Sequence, residues 1–121
     1  LLLAEDNELN AEIAETLLTD AGAHVTIVKN GKKAVDCFEA ASPGTFDAIL
    51  MDVMMPVMDG LAATRAIRAI PRADARQIPI LAMTANAFAE DVQLAKNTGM
   101  NEHIAKPLDL NKLNDVLKQW L

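Results

Sequence analysis

The chain has 121 residues, enough for one domain and too few for two. Hydrophobic residues make up 51% of it, which fills one core without disulfide or metal staples. Seventeen acidic residues against eleven basic ones give a formal net charge of -6. That balance argues against nucleic acid or an anionic membrane as a direct partner, since both are recognised by clustered positive charge. A lone cysteine, Cys37, cannot close an internal bridge and reads as a small core residue in a reducing, cytoplasmic setting. No apolar run is long enough to cross a bilayer, and no signal peptide is evident. The chain starts without Met inside what reads as a strand, so a truncated first strand and a longer parent protein are expected.

Residues 1–4 form a short apolar run, ended by acidic residues, that predicts the first strand. Asn7 can cap a helix whose Leu9, Ile13 and Leu17 share one face, and Gly22 stops it. Residues 24–28 are β-branched in character and predict a second strand. Asn30 caps the next helix, with Ala34, Val35 and Phe38 as its inner stripe and Ser42-Pro43-Gly44 as its close. Residues 48–51 predict a buried strand ending on Asp52. The loop that follows contains Pro56 and Gly60, and its methionines from Met54 to Met58 are expected to pack rather than to form a pliable surface. A helix then turns Ala63, Ile67 and Ile70 inward.

Residues 78–83 predict the fourth strand, ending at Thr84. The next helix, over roughly residues 89–98, has little besides Val92 and Ala95 to bury and should be the least firmly held. Residues 103–105 form a short fifth strand running into Lys106-Pro107. Asp109 can cap a last helix with Leu110, Leu113, Leu117 and Trp120 toward the core.

The pattern is β-α five times over. Strands apolar throughout are buried on both faces, which means an α/β fold with a parallel sheet between helix layers. Ligands of such sheets sit at the carboxyl ends of the strands. Here those ends read Glu5-Asp6, Asp52, Thr84 and Lys106. Three close carboxylates repel unless a cation intervenes, and an all-oxygen acidic cluster suits Mg2+. Neither Cys nor His stands at these ends, which disfavours zinc. A metal, an ammonium, a hydroxyl and a central carboxylate together suit a phosphoryl group, with aspartate as the nucleophile.

Glu5-Asp6-Asn7, the run from Met51-Asp52 to Asp59-Gly60, Met83-Thr84-Ala85 and Lys106-Pro107 together resemble the receiver (response regulator) family of two-component signalling. The match runs the length of the chain. It implies one receiver domain over residues 1–121, with a flavodoxin-like (βα)5 three-layer sandwich of strand order 2-1-3-4-5. It implies Asp52 as phosphoacceptor, with Mg2+ (Mn2+ as a substitute) held by Glu5, Asp6, Asp52 and the backbone carbonyl of Met54. Lys106 would pair with the phosphoryl group, Thr84 would hydrogen-bond it, and the backbone at Val53 and Ala85 would contact it. Lys106-Pro107 would carry a cis peptide bond. Such a domain is a switch that assists its own phosphorylation and dephosphorylation, not an independent enzyme.

The pattern bends at three places. The acidic pair is Glu5-Asp6 instead of two aspartates, which still supplies two carboxylates. His103 replaces the usual aromatic three residues before Lys106. His103 either turns inward as a neutral imidazole on activation, making the switch weaker in mild acid, or is an exposed strand-edge histidine with no role. Met54 and Asn86 flank the position of the hydrolytic water, and neither serves as a general base.

Other functions fit less well. A flavin carrier of this fold needs a Ser/Thr/Gly-rich phosphate loop where Glu5-Asp6-Asn7 would repel phosphate. A haloacid-dehalogenase-type phosphatase needs a second acid at the position of Met54. A docking-only receiver would lack one of Asp52, Thr84 and Lys106. The Pro56-Val57-Met58-Asp59-Gly60 and Thr84-Ala85-Asn86-Ala87 runs look most like receivers of hybrid sensor histidine kinases, ahead of free-standing response regulators. The partners implied are the kinase's phosphohistidine-bearing dimerisation domain and a histidine phosphotransfer (HPt) domain, with no nucleic acid and no direct membrane contact. The cytoplasmic part of a membrane-bound sensor kinase is the expected location.

Overall fold

The strand runs do pair, and they pair in parallel. The structure is a computed structural model that describes residues 1–53, 55, 57–84, 93, 96–105 and 110–120. In chain order the elements are β1 (Leu2–Ala4), α1 (Glu8–Asp20), β2 (Thr26–Val28), α2 (Gly31–Ala40), β3 (Ile49–Asp52), α3 (Gly60–Arg68), a short α4 (Ala73–Gln77), β4 (Ile80–Thr84), β5 (Glu102–Ala105) and α5 (Leu110–Trp120). The five strands make one parallel sheet of order β2-β1-β3-β4-β5. Gln93 and Lys96, Asn97 and Thr98 are helical; the rest of the expected fourth helix, with Val92 and Ala95, lies outside the described residues, as do Pro107 and Asp109.

Alternation along the central strands sends side chains to two separate cores. Leu3, Leu50, Leu81, Met83 and Ile104 pack with Ala14 and Leu18 of α1 and with Leu113 and Leu117 of α5. On the other face Leu2, Ala4, Ile49, Met51, Ile80 and Ala82 meet α2, α3 and α4 through Ala34, Phe38, Ala63, Ile67 and Ala75. Each Leu or Ile so enclosed contributes about 1.5–3 kcal/mol of apolar burial. Three helices start on side-chain caps: the Oδ1 atoms of Asn7, Asn30 and Asp59 accept from Asn10, Lys33 and Ala62 N–H at 3.0, 2.8 and 2.8 Å. Such caps contribute about 1 kcal/mol each.

One sequence expectation needs correction. Helix α1 turns Ala11, Ala14 and Leu18 inward, while Leu9 and Ile13 are exposed. Small alanines let the helix lie close to the sheet, and that close approach outweighs the larger side chains. Strand β2 is the edge strand that the expected order implies, with Thr26 and Ile27 exposed. Helix α4, at five residues, is too short to show a period in the sequence.

Two arginines bind the lower parts of the fold together. Arg72 pairs with Asp74 at 3.0 Å and donates to the carbonyls of Phe38, Glu39 and Ala41 at the end of α2, its Cζ lying 4.9 Å from the Phe38 ring centre. Arg68, at the end of α3, donates to the Gly99 and Ala75 carbonyls and to Asn101 Oδ1. That same Asn101 oxygen accepts from Ile80 N–H, and Asn101 N–H donates to Ile80 O. Burial lowers the Arg68 guanidinium from its ordinary range, though arginine stays charged.

Candidate functional site

Register brings the expected residues to one edge. Ala4 pairs with Met51, so Glu5, the next residue, falls beside Asp52 at the carboxyl end of β3. Asp52 also pairs with Met83, which places Thr84 one step further along β4. Glu5 and Asp52 are 3% and 4% exposed, whereas Asp6 lies in solvent. One carboxylate oxygen from each of Glu5, Asp6 and Asp52 lies within 4.8 Å of the other two. Glu5 Oε1 also accepts from Asn7 N–H at 3.2 Å, which anchors the turn that leads into α1.

Carboxylates this close repel through the poorly screened interior, and a divalent cation relieves that repulsion. The donors are all oxygen, two of them on rigid strand ends, and one face is open. That set fits a hard ion such as Mg2+, which keeps several waters. Beside it lies a depression of about 220 Å³ lined by Glu5, Asp6, Glu8, Glu12, Ile27 and Lys29 among others. A larger cleft of about 720 Å³ sits at the other end of the sheet, beside His24, Asp47 and Lys118, away from the carboxylates.

Two glycines let backbone pack closely, Gly60 against Asp52 and Gly31 against the loop that follows it. A methyl on Gly60 would collide with the Asp52 carbonyl, and Gly60 N–H donates to Val53 O at 3.0 Å. The start of α3 therefore rests directly on the strand end. A methyl on Gly31 would collide with the Met58 carbonyl, which accepts the Gly31 N–H at 3.0 Å. Of the loop methionines, Met55 is buried and Met58 packs against the same core, as expected of packing residues.

Not every expected site residue falls into place. Lys106, Ala85 and the Met54 carbonyl lie outside the described residues. Lys106 follows Ala105, the partner of Thr84 in register. The Val53 N–H donates to Met83 O at 3.1 Å and continues the ladder between β3 and β4. His103 lies on β5 in register with Ala82, its side chain about one-third exposed. Its Nδ1 is buried without a hydrogen bond and lies 3.5 Å from Glu102 Oε1.

Comparison with known proteins agrees with this geometry. The model of the response regulator receiver domain matches residues 1–118. Hybrid signal transduction histidine kinase I of Dictyostelium discoideum is 39% identical over 97% of the chain, which spans 7% of that protein. The sensor protein GacS of Pseudomonas syringae is 40% identical over 99% of the chain, which spans 13% of it. The receiver domain of sensor histidine kinase PA1611 from Pseudomonas aeruginosa, solved with a magnesium ion in its active site cleft, superposes with a TM-score of 0.87 at 42% identity, covering 98% of this chain and 93% of that one. The receiver of Ssk1 from Saccharomyces cerevisiae, solved with the histidine phosphotransfer protein Ypd1, gives 0.85 at 28% identity, over 98% and 86% of the two chains. Strand order, the acidic edge and these likenesses agree: the chain belongs to the response regulator receiver domain family of two-component systems.

Proposed function

We propose that this receiver accepts a phosphoryl group from a phosphohistidine onto Asp52, with Mg2+ bound by Glu5 and Asp6, and relays it within a phosphorelay. The observation that carries the proposal is the trio of carboxylates gathered at the ends of β1 and β3. An Asp52 oxygen attacks phosphorus in line, the phosphorus–nitrogen bond breaks, and the imidazole leaves with its electron pair. The product is an acyl phosphate. Bound at Glu5, Asp6 and Asp52, Mg2+ supplies positive charge against the phosphoryl oxygens. Lys106 adds a second positive charge, and the Thr84 hydroxyl donates to a phosphoryl oxygen once the bond has formed. Close contact of Gly60 with the Asp52 backbone carbonyl fixes the strand end that carries the nucleophile.

The magnesium in the PA1611 receiver supports the choice of metal; Mn2+, which also takes oxygen ligands, is proposed as its substitute. The complex of the Ssk1 receiver with Ypd1 supports an HPt domain as partner. The similar kinases support a hybrid sensor kinase as parent, and on that parentage the phosphohistidine donor lies in the same protein and this module on the cytoplasmic side. In this reading the domain is a switch and not an independent enzyme.

Incubation with Mg2+ and acetyl phosphate should add one phosphoryl group, labile to base and hydroxylamine. Chelation should prevent the labelling, and Asp52→Asn should abolish it. Equal labelling of the Asp52→Asn protein would sink the assignment.

A further inference from the structure

Between Asp52 and α3 the chain holds one residue in a conformation that its side chain disfavours. Val57 has φ 69°, the only positive value at a non-glycine among the described residues. A β-branched side chain crowds its own backbone there, and glycine or asparagine is the ordinary occupant. Packing gives nothing back, because Val57 is 83% exposed, more than any other large hydrophobic side chain among the described residues. The backbone shape itself has a use. It turns the exposed Val57 side chain outward between Met55 and Met58, both of which pack toward the core. Asparagine would make that turn with less strain, so the valine adds only an isopropyl group held in water.

We infer that Val57 is a recognition anchor for the phosphohistidine-bearing protein that faces Asp52, kept at the expense of the free domain's stability. The inference rests on the phosphotransfer reading above. A protein donor must bring its imidazole to Asp52 and so must cover the loop that Asp52 leads into. Strain kept at a solvent-facing position beside a reactive group is strain kept for a complex. The loop is also braced. Gly31 N–H holds Met58 O, Gly60 N–H holds Val53 O, and Asp59 caps α3. Val57 is thus presented in place, and little freedom is lost when a partner buries it. Its target is an apolar patch near the donor histidine. Acetyl phosphate is too small to span from Asp52 to such a contact.

The test compares wild type, Val57→Asn and Val57→Gly as phosphoryl acceptors from acetyl phosphate and from Ypd1 phosphorylated on its histidine. Val57→Asn should raise the thermal midpoint by about 4 °C, the size expected for relief of one strained residue. Labelling by acetyl phosphate should stay at the wild-type rate in both variants. The KM for phosphorylated Ypd1 should rise about five-fold or more, with kcat retained, as for loss of an interface anchor. A wild-type KM in both variants, an unchanged midpoint in Val57→Asn, or equal loss of labelling from both donors overturns the inference. A wild type that acetyl phosphate labels but Ypd1 does not also overturns it. A wild type labelled by neither donor overturns the phosphotransfer reading itself.

Discussion

The two ends of the sheet treat charge in opposite ways. At the amino end, Arg68 and Arg72 each find several oxygens, and their donors tie α2, α3, α4 and the starts of β4 and β5 into one unit. At the carboxyl end, like charges gather: Glu5 and Asp52 are buried within 4.8 Å of each other and of Asp6. Satisfied polar groups rigidify a fold, whereas crowded like charges store free energy that a cation can release. Stability is thereby concentrated at one end and chemistry at the other. Changes at the two ends should have opposite signatures.

The largest stability loss should come from Arg68→Ala, which strips the Gly99, Ala75 and Asn101 oxygens of their shared donor. Loss of a half-buried network of this kind costs about 2–4 kcal/mol. Denaturant unfolding should show that loss, while the protein that remains folded labels normally with acetyl phosphate. A change below 1 kcal/mol, or a labelling defect in the folded fraction, breaks the contrast between the ends. Asp52→Asn should behave in reverse. In chelator it should unfold at a higher denaturant midpoint than wild type, by about 1 kcal/mol, because one of three repelling charges has gone. Saturating Mg2+ should then narrow or invert the difference, since wild type binds the ion better. Lower stability of Asp52→Asn in chelator would mean the carboxylates are not strained.

The smallest effect concerns His103, which we propose moves when Thr84 engages the phosphoryl group. The buried Nδ1 has no hydrogen bond to hold it in place. Its imidazole resonances should shift when beryllofluoride and Mg2+ are added, and Thr84→Ala should suppress that shift while sparing Mg2+ affinity measured by calorimetry. Unmoved resonances would leave His103 outside the switch.

Much of this architecture is legible in residue types. Apolar runs ending in Asp52 and Thr84 mark buried parallel strands, and Asn7 and Asn30 mark the helix starts where caps are found. The site could be read because a parallel sheet delivers its strand ends to one edge, whatever the loops do. What escaped depends on distances and dihedrals. Leu9 and Ile13 carry the periodic signal of a buried face, but the sheet accepts Ala11 and Ala14 because they permit closer approach. Five residues of α4 carry no period at all. That Val53 N–H is committed to Met83 O, and that Val57 is left-handed, are backbone facts with no signature in composition.

Strand β1 lies between β2 and β3, so its neighbours come from later in the chain on both sides. Glu5 and Asp52 therefore cannot meet until the middle of the sheet has closed over two crossovers. No short segment carries the site in miniature, in contrast to a calcium loop whose ligands are a few residues apart. A nascent or partly unfolded chain consequently has no ion to gather around and no acyl phosphate to form. On the proposed function, the carboxylate trio would also act as a check on folding, since only a chain whose central strands are in register brings the three groups together.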